Sequence, residues 1–124
     1  MTTYTISQLA NEFDISTRTI RYYEEKGLIA PQRNNGGQRI YSRKDRARLR
    51  LILRGKKFGF SLEEIAEMIL LFDEDRTGKK QLEVTVKYGE QKLKEVDVKI
   101  EEMIELRSEI EHFLTDFKEK TKNL

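Results

Sequence analysis

The side chains with chemistry to offer crowd into one short stretch, Ser16 to Ile29, "STRTIRYYEEKGLI". Arg18 and Arg21 carry guanidinium forks that fit a guanine edge or a phosphate. The Tyr22 hydroxyl can donate to a phosphate oxygen. On a 3.6-residue wheel Thr17, Arg18, Arg21, Tyr22 and Glu25 share one side, while Ile20 faces the opposite way, toward a core. Tyr23 and Glu24 lie on or near the Ile20 side. From the wheel alone Tyr23 reads mostly as core packing. Glu24 and Glu25 conflict with an anionic partner, so they are expected to bridge cations within the protein. Glu24 is expected to brace an arginine such as Arg39 or Arg43.

Other chemistries lack their residues. There is no cysteine, which excludes disulfides, thiolate metal sites and cysteine nucleophiles. The single histidine, His112, cannot build a multi-histidine metal centre and is read as a partly exposed side chain. No nucleophile constellation and no phosphate-cradling glycine loop is present, so no enzyme and no cofactor are expected. No run approaches the roughly 20 apolar residues that span a bilayer. The opening "MTTYTISQLANEF" lacks the basic and apolar regions of a signal peptide. A soluble, cytoplasmic protein without membrane partners is the expectation.

Charge separates the chain into halves. Met1 to Phe60 holds 13 Lys and Arg against 5 Asp and Glu, a net +8; Ser61 to Leu124 holds 11 against 17, a net −6. The sum is the +2 of the whole chain. A basic body of this size suits a polyanion, whose counterions are released on binding. The acidic half suits a different surface.

The elements that must position the basic cluster announce themselves by capping chemistry. Thr5 precedes Gln8 by three residues, Ser42 precedes Asp45, and Ser61 precedes Glu64, the spacing of a capping box. Ser16 is a fourth N-cap. A first helix reads "ISQLANEF"; Asp14 and Ile15 make a tight turn; a second helix runs from about Thr17 to Lys26 and stops at Gly27. Pro31 and "NNGG" then mark a turn, across which Leu28–Ala30 and Gln38–Tyr41 are expected to pair as a wing. Arg33 and Arg39 flank that turn. Helices over about Arg43–Lys57 and Leu62–Phe72 follow, with Lys56 and Lys57 at the end of the first of them. "DEDRTGKK", Asp73 to Lys80, reads as a solvated polar linker; an alternative is an anion cradle made by Arg76, Lys79 and Lys80.

The tail repeats every seven residues. With Leu82 at d, the d positions are Leu82, Gly89, Val96, Met103, Ile110 and Phe117, and the a positions are Val86, Leu93, Ile100, Arg107 and Leu114. Nine of these eleven are apolar, which argues for a coiled coil of about 54 Å. In a parallel dimer Arg107 would face its own copy, a buried like-charge pair. In an antiparallel dimer centred near Val98, facing positions sum to 196. Val86 then meets Ile110, Leu93 meets Met103, Val96 meets Ile100 and Leu82 meets Leu114. Gly89, the smallest seam residue, stands opposite Arg107, the largest. An antiparallel homodimer is predicted. Tyr88, Phe113 and Phe117 are read as packing.

The fragments "YTISQLANEF", "STRTIRYYEEKGLIAP", "GGQRIYS" and "LRGKKFGFSLEEI", in that order, resemble the N-terminal domain of the MerR family of bacterial transcription regulators over Tyr4 to Phe72. The resemblance implies a mainly α fold: a winged helix-turn-helix domain (1–72), a linker (73–80) and a long dimerisation helix (81–124) forming an antiparallel coiled coil. It implies double-stranded DNA as partner, read as a palindromic operator by a homodimer that bends and untwists the promoter spacer. RNA polymerase at the promoter is a further implied partner. Carried residue by residue, Arg18 would read base edges, with Thr17 on the same face. Arg21, Tyr22 and Tyr23 would hold phosphates, Arg33, Arg39 and Tyr41 would secure the wing, and Lys56 would add a phosphate contact. Gln38 departs from the family pattern, where an aromatic is common. The cysteines of metal and redox sensors are absent, and about seven residues follow Phe117, too few for a drug-binding domain. An architectural DNA binder and a coiled-coil adaptor with an incidental basic body are the readings from other classes.

Overall fold

A computed structural model describes residues 2–75 and 77–124. Among the described residues five helices and a two-stranded hairpin follow one another: α1 Ile6–Phe13, α2 Thr17–Glu25, β1 Gln32–Arg33, β2 Arg39–Ile40, α3 Arg43–Lys57, α4 Leu62–Glu74 and α5 Lys79–Lys122. They form two compact units, one ending at Thr85 and the other Val86–Leu124.

In the first unit the helix starts are closed as their side chains dictate. Thr5 Oγ1 accepts from the Gln8 amide at 3.1 Å while Gln8 Oε1 accepts from the Thr5 amide at 2.8 Å. The same reciprocal pairs form between Ser42 and Asp45 and between Ser61 and Glu64. Ser16 caps α2 by accepting from the Thr19 amide. Each pair satisfies backbone donors that a helix start otherwise leaves open. Asp14 turns the chain between α1 and α2 in the left-handed region at φ 53°.

α2 ends in a Schellman closure. The Gly27 amide donates to the Glu24 carbonyl and the Leu28 amide to the Tyr23 carbonyl, with Gly27 at φ 76°. The closure turns Leu28 and Ile29 into the core beside Leu9, Ile20, Leu49, Ile52, Ile65 and Met68. That placement corrects the expected hairpin. Leu28 and Ile29 are spent on packing, so β1 begins after Pro31 and pairs Gln32 with Ile40 and Arg33 with Arg39.

α3 and α4 pack closely at Gly55. A Cβ there would lie 2.8 Å from Ile65 Cγ1, and Ile65 is fully buried. α4 runs through Asp73 and Glu74, past the predicted end at Phe72. Asp73 accepts ion pairs from Lys44 and Arg48 of α3, which holds the last turn of α4 in place. Lys79 and Lys80 begin α5; Arg76, the third member of the alternative anion cradle, lies outside the described residues.

α5 is 44 residues long, about 66 Å, and buries none of its side chains. Its apolar seam residues Leu82, Val86, Leu93, Val96, Ile100, Met103, Ile110, Leu114 and Phe117 stand 47–65% exposed. No helix is long and apolar enough to cross a membrane among the described residues.

Candidate nucleic-acid interface

α2 presents the side chains that the wheel assigned to one face. Arg18 is exposed and makes no hydrogen bond or ion pair with another described residue. Arg21 Nη2 donates to Thr17 Oγ1 at 3.3 Å, so Thr17 steers an arginine on its own helix. Tyr22 is 43% exposed, and the Lys26 ammonium sits 5.5 Å from its ring centroid. Tyr22 also meets the Tyr23 ring edge-on at 5.6 Å.

Tyr23 is buried at 6% exposure, so its ring packs in the core and supports Tyr22 from below. Burial pushes its phenol above the ordinary value, and the adjacent Tyr22 adds to the rise. Tyr41 corrects the expectation more sharply. It is fully buried, so its side chain cannot reach a phosphate. Its backbone instead forms an isolated antiparallel bridge with Tyr4, at 2.8 and 2.9 Å, which ties the base of the wing to the start of α1. Its hydroxyl finds no hydrogen-bond partner among the described residues, and burial raises its phenol, with Glu24 adding to the rise.

The wing tip is organised by Asn34. Its Oδ1 accepts from the Gly36 and Gln38 amides, both at 3.0 Å, and its Nδ2 donates to Gln38 Oε1 at 3.3 Å. Gln38 thereby serves the turn through its own amide side chain where the family pattern has an aromatic. Arg33 Nη1 donates to the Gly37 carbonyl at 2.8 Å, which folds this guanidinium across the tip. Arg39 Nε donates to Glu24 Oε2 at 2.6 Å, with both side chains about one-quarter exposed. The expected bracing by Glu24 is therefore made to Arg39, whereas Glu25, expected to bridge a cation as well, is exposed and pairs with none among the described residues. Arg43 donates to Thr2 Oγ1 instead. Arg21 and Arg39 line one recess together with Ser7 and Gly37, so α2, the wing and the first turn of α1 converge there. Lys56 is exposed at the last turn of α3.

Sequence reasoning missed three supports. Glu12 holds Arg46 through both carboxylate oxygens at 2.9 Å, and its carboxyl is pulled below the ordinary value first by that hydrogen bond. Asp45 is buried; besides the expected cap bond from the Ser42 amide it accepts from the Ala30 amide, a bond the sequence did not show, which fastens α3 to the segment entering the wing. Asn34 is the third. A signal existed for the acids: a basic body keeps few carboxylates, and Glu12, Glu24 and Asp45 each hold a donor.

Comparison with known proteins decides the family. Residues 4–70 match the family model for the MerR HTH family regulatory protein, and residues 46–113 match the model described as MerR, DNA binding. The chain belongs to the MerR family of transcriptional regulators. This MerR-family chain is 36% identical over 110 residues to the HTH-type transcriptional regulator HmrR of Rhizobium leguminosarum bv. viciae, covering 88% of the chain and 82% of that protein. It is 34% identical over 119 residues to the mercuric resistance operon regulatory protein of Bacillus cereus, covering 94% and 84%.

Among solved structures, a MerR family transcriptional regulator from Listeria monocytogenes superposes with a TM-score of 0.73 at 26% identity, over 97% of this chain and 95% of that one. HiNmlR, a MerR family regulator lacking the sensor domain and solved bound to promoter DNA, gives 0.61 at 30% identity, over 82% and 76%. The winged helix-turn-helix followed by a long C-terminal helix is thus the MerR fold, and the protein is a DNA-binding regulator of that family.

Proposed function

We propose that the chain works as a homodimer on a palindromic promoter operator, with the winged helix-turn-helix through α4 on the DNA, the short segment between α4 and α5 as linker and α5 as the dimerisation helix. The observation that carries this reading is the sorting of its arginines. Arg46 and Arg48 are each held by an acid of a neighbouring helix and Arg39 is braced by Glu24 through Nε alone, whereas Arg18 on α2 and Lys56 on α3 have no acidic partner among the described residues. Unpaired cations on a recognition helix are those available to a base edge or a phosphate. Arg18 reads bases in the major groove. Arg21 and Tyr22 hold phosphates beside it, Arg33 and Arg39 secure the wing to the backbone, and Lys56 adds a further phosphate.

The exposed seam of α5 supports the dimer. An isolated helix with no buried face draws little stability from local bonds alone, and pairing would remove its half-exposed seam from water. The antiparallel register that sets Gly89 against Arg107 gives the bulky cation room. A dimer of this kind bends and untwists the promoter spacer, so part of its specificity is energy stored in DNA shape, and RNA polymerase then engages the realigned promoter.

The test is a nuclease footprint on DNA upstream of the protein's own gene. The expected result is one protected site with two-fold symmetry, hypersensitive at its centre, and affinity that falls steeply with salt. Protection without symmetry, or scattered over many weak sites, would contradict the reading.

A further inference from the structure

We propose that the wing carries a chemical ageing site, the Asn35–Gly36 bond, and that DNA protects it; the second half of this statement rests on the function proposed above. Asn35 and Gly36 sit exposed at the tip of the hairpin, between the cross-strand pair Arg33 and Arg39. The Asn35 side chain makes no hydrogen bond to another described residue, in contrast to Asn34, which is fully engaged in the turn.

The reaction needs only water. The Gly36 backbone nitrogen, deprotonated, attacks Cγ of Asn35. A nitrogen–Cγ bond forms, the Cγ–Nδ2 bond breaks, and ammonia leaves with a proton from solvent. The resulting five-membered imide is opened by water at either carbonyl. Opening at the backbone carbonyl leaves an isoaspartyl linkage with one extra methylene in the main chain. Opening at the other leaves aspartate. Both products replace a neutral amide by a carboxylate. Glycine at the next position favours the attack because it has no side chain to obstruct the ring.

The fold restrains this reaction without abolishing it. In the closed turn the Gly36 N–H is held by Asn34 Oδ1, which keeps the nitrogen protonated and aimed away from Asn35. The restraint is only as strong as the wing. Each strand is two residues long, and short hairpins open locally at small free-energy cost. The reaction therefore proceeds from the opened tip, at a rate set by how often the tip opens. A bound duplex that holds Arg33 and Arg39 would keep the tip closed and slow it, since a ligand that binds only the closed form depopulates the open one. The product places a negative charge between two guanidiniums meant for phosphates, so an aged wing binds DNA less tightly.

Trypsin makes the test direct, because cleavage after Arg33 and Arg39 releases the hexapeptide Asn34–Arg39 with both asparagines inside it. The protein is incubated at neutral pH and 37 °C, free and bound to the footprinted duplex, and the hexapeptide is sequenced by mass spectrometry. The expected result is carboxylate formation at Asn35 and not at Asn34, faster in the free protein than in the complex. Asn34→Ala should accelerate it. Gly36→Ala should suppress it, and the added Cβ would meet only Asn34 Oδ1 at 3.5 Å, so the turn accommodates it. Asn35→Asp should weaken operator binding several-fold. An unchanged Asn35 in the native protein, under conditions that convert the free synthetic hexapeptide, would overturn the site. Equal rates with and without DNA, or wild-type affinity for Asn35→Asp, would overturn its link to binding. The mass readout in free protein does not depend on any operator, so failure of the regulator reading would show separately, as absence of the footprint.

Discussion

Glu24 of α2 and Arg39 of the wing are joined by a 2.6 Å bond between Oε2 and Nε, the one ionic link between the recognition helix and the hairpin among the described residues. An acid on a surface meant for a polyanion is explained by this link. It fixes the Arg39 fork, with its two remaining nitrogens free to take a phosphate. Because both side chains are about one-quarter exposed, the bond contributes about 1 kcal/mol, not the larger value of a buried pair. Glu24→Ala is therefore expected to weaken operator binding by about threefold to tenfold although it removes a negative charge. Titrations at several salt concentrations check this. Tighter binding at every salt concentration would show that Glu24 merely repels DNA.

Gly55 sets the spacing of α3 and α4. The missing Cβ leaves room for the fully buried Ile65, whose Cγ1 and Cδ1 would lie 2.8 and 2.9 Å from it. Gly55→Ala should destabilise the fold by about 1–3 kcal/mol through overpacking, more than the helix propensity it gains. Urea unfolding of the two proteins side by side measures the difference. A stabilised variant would mean the helices part without strain.

Acidification should reach the α1–α3 contact through Glu12. Its folded value lies below the ordinary carboxylate range because Arg46 holds the charged form. The stability it contributes is complete above the unfolded value and is lost as pH falls through the folded one. Glu12→Gln removes that contribution at neutral pH and should flatten the decline of melting temperature below the carboxylate range. Parallel melting curves against pH for the two proteins decide it; curves of the same steepness would assign the acid sensitivity elsewhere.

The register of α5 is open to crosslinking because the chain has no cysteine of its own. A Gly89→Cys, Arg107→Cys double variant should oxidise to a covalent dimer, while neither single variant should. Dimerisation of Arg107→Cys alone would place like positions together and indicate a parallel pair.

Much of this was legible in the sequence because capping and periodicity are local. Thr5, Ser16, Ser42 and Ser61 mark helix starts by side chains that act within three residues, and the α5 heptad needs no knowledge of the rest of the chain. The α2 face followed in the same way. The misplaced first strand and Tyr41 have a common cause. Both depend on which apolar residues the tertiary core recruits, and an alternating pattern such as "RIY" does not say whether its tyrosine points inward. Tyr41 is claimed by the bridge to Tyr4, thirty-seven positions away in sequence, and by a core that periodicity cannot assemble. Glu12 and Asp73 are likewise long-range partners of α3, so the sequence shows Glu12 only as an acid in a basic body and Asp73 only as one of a run of acids.

Sequence-specific recognition in the proposed function turns on Arg18 reading a base and not merely adding charge. The direct measurement is the affinity of wild type and Arg18→Ala for a panel of duplexes carrying every single-base change in one half-site, at fixed salt. If Arg18 reads a base edge, wild type discriminates at one position by about 1–3 kcal/mol, and Arg18→Ala loses that discrimination while keeping the others. Weakening by the same factor across the whole panel would make Arg18 a phosphate contact and contradict the claim.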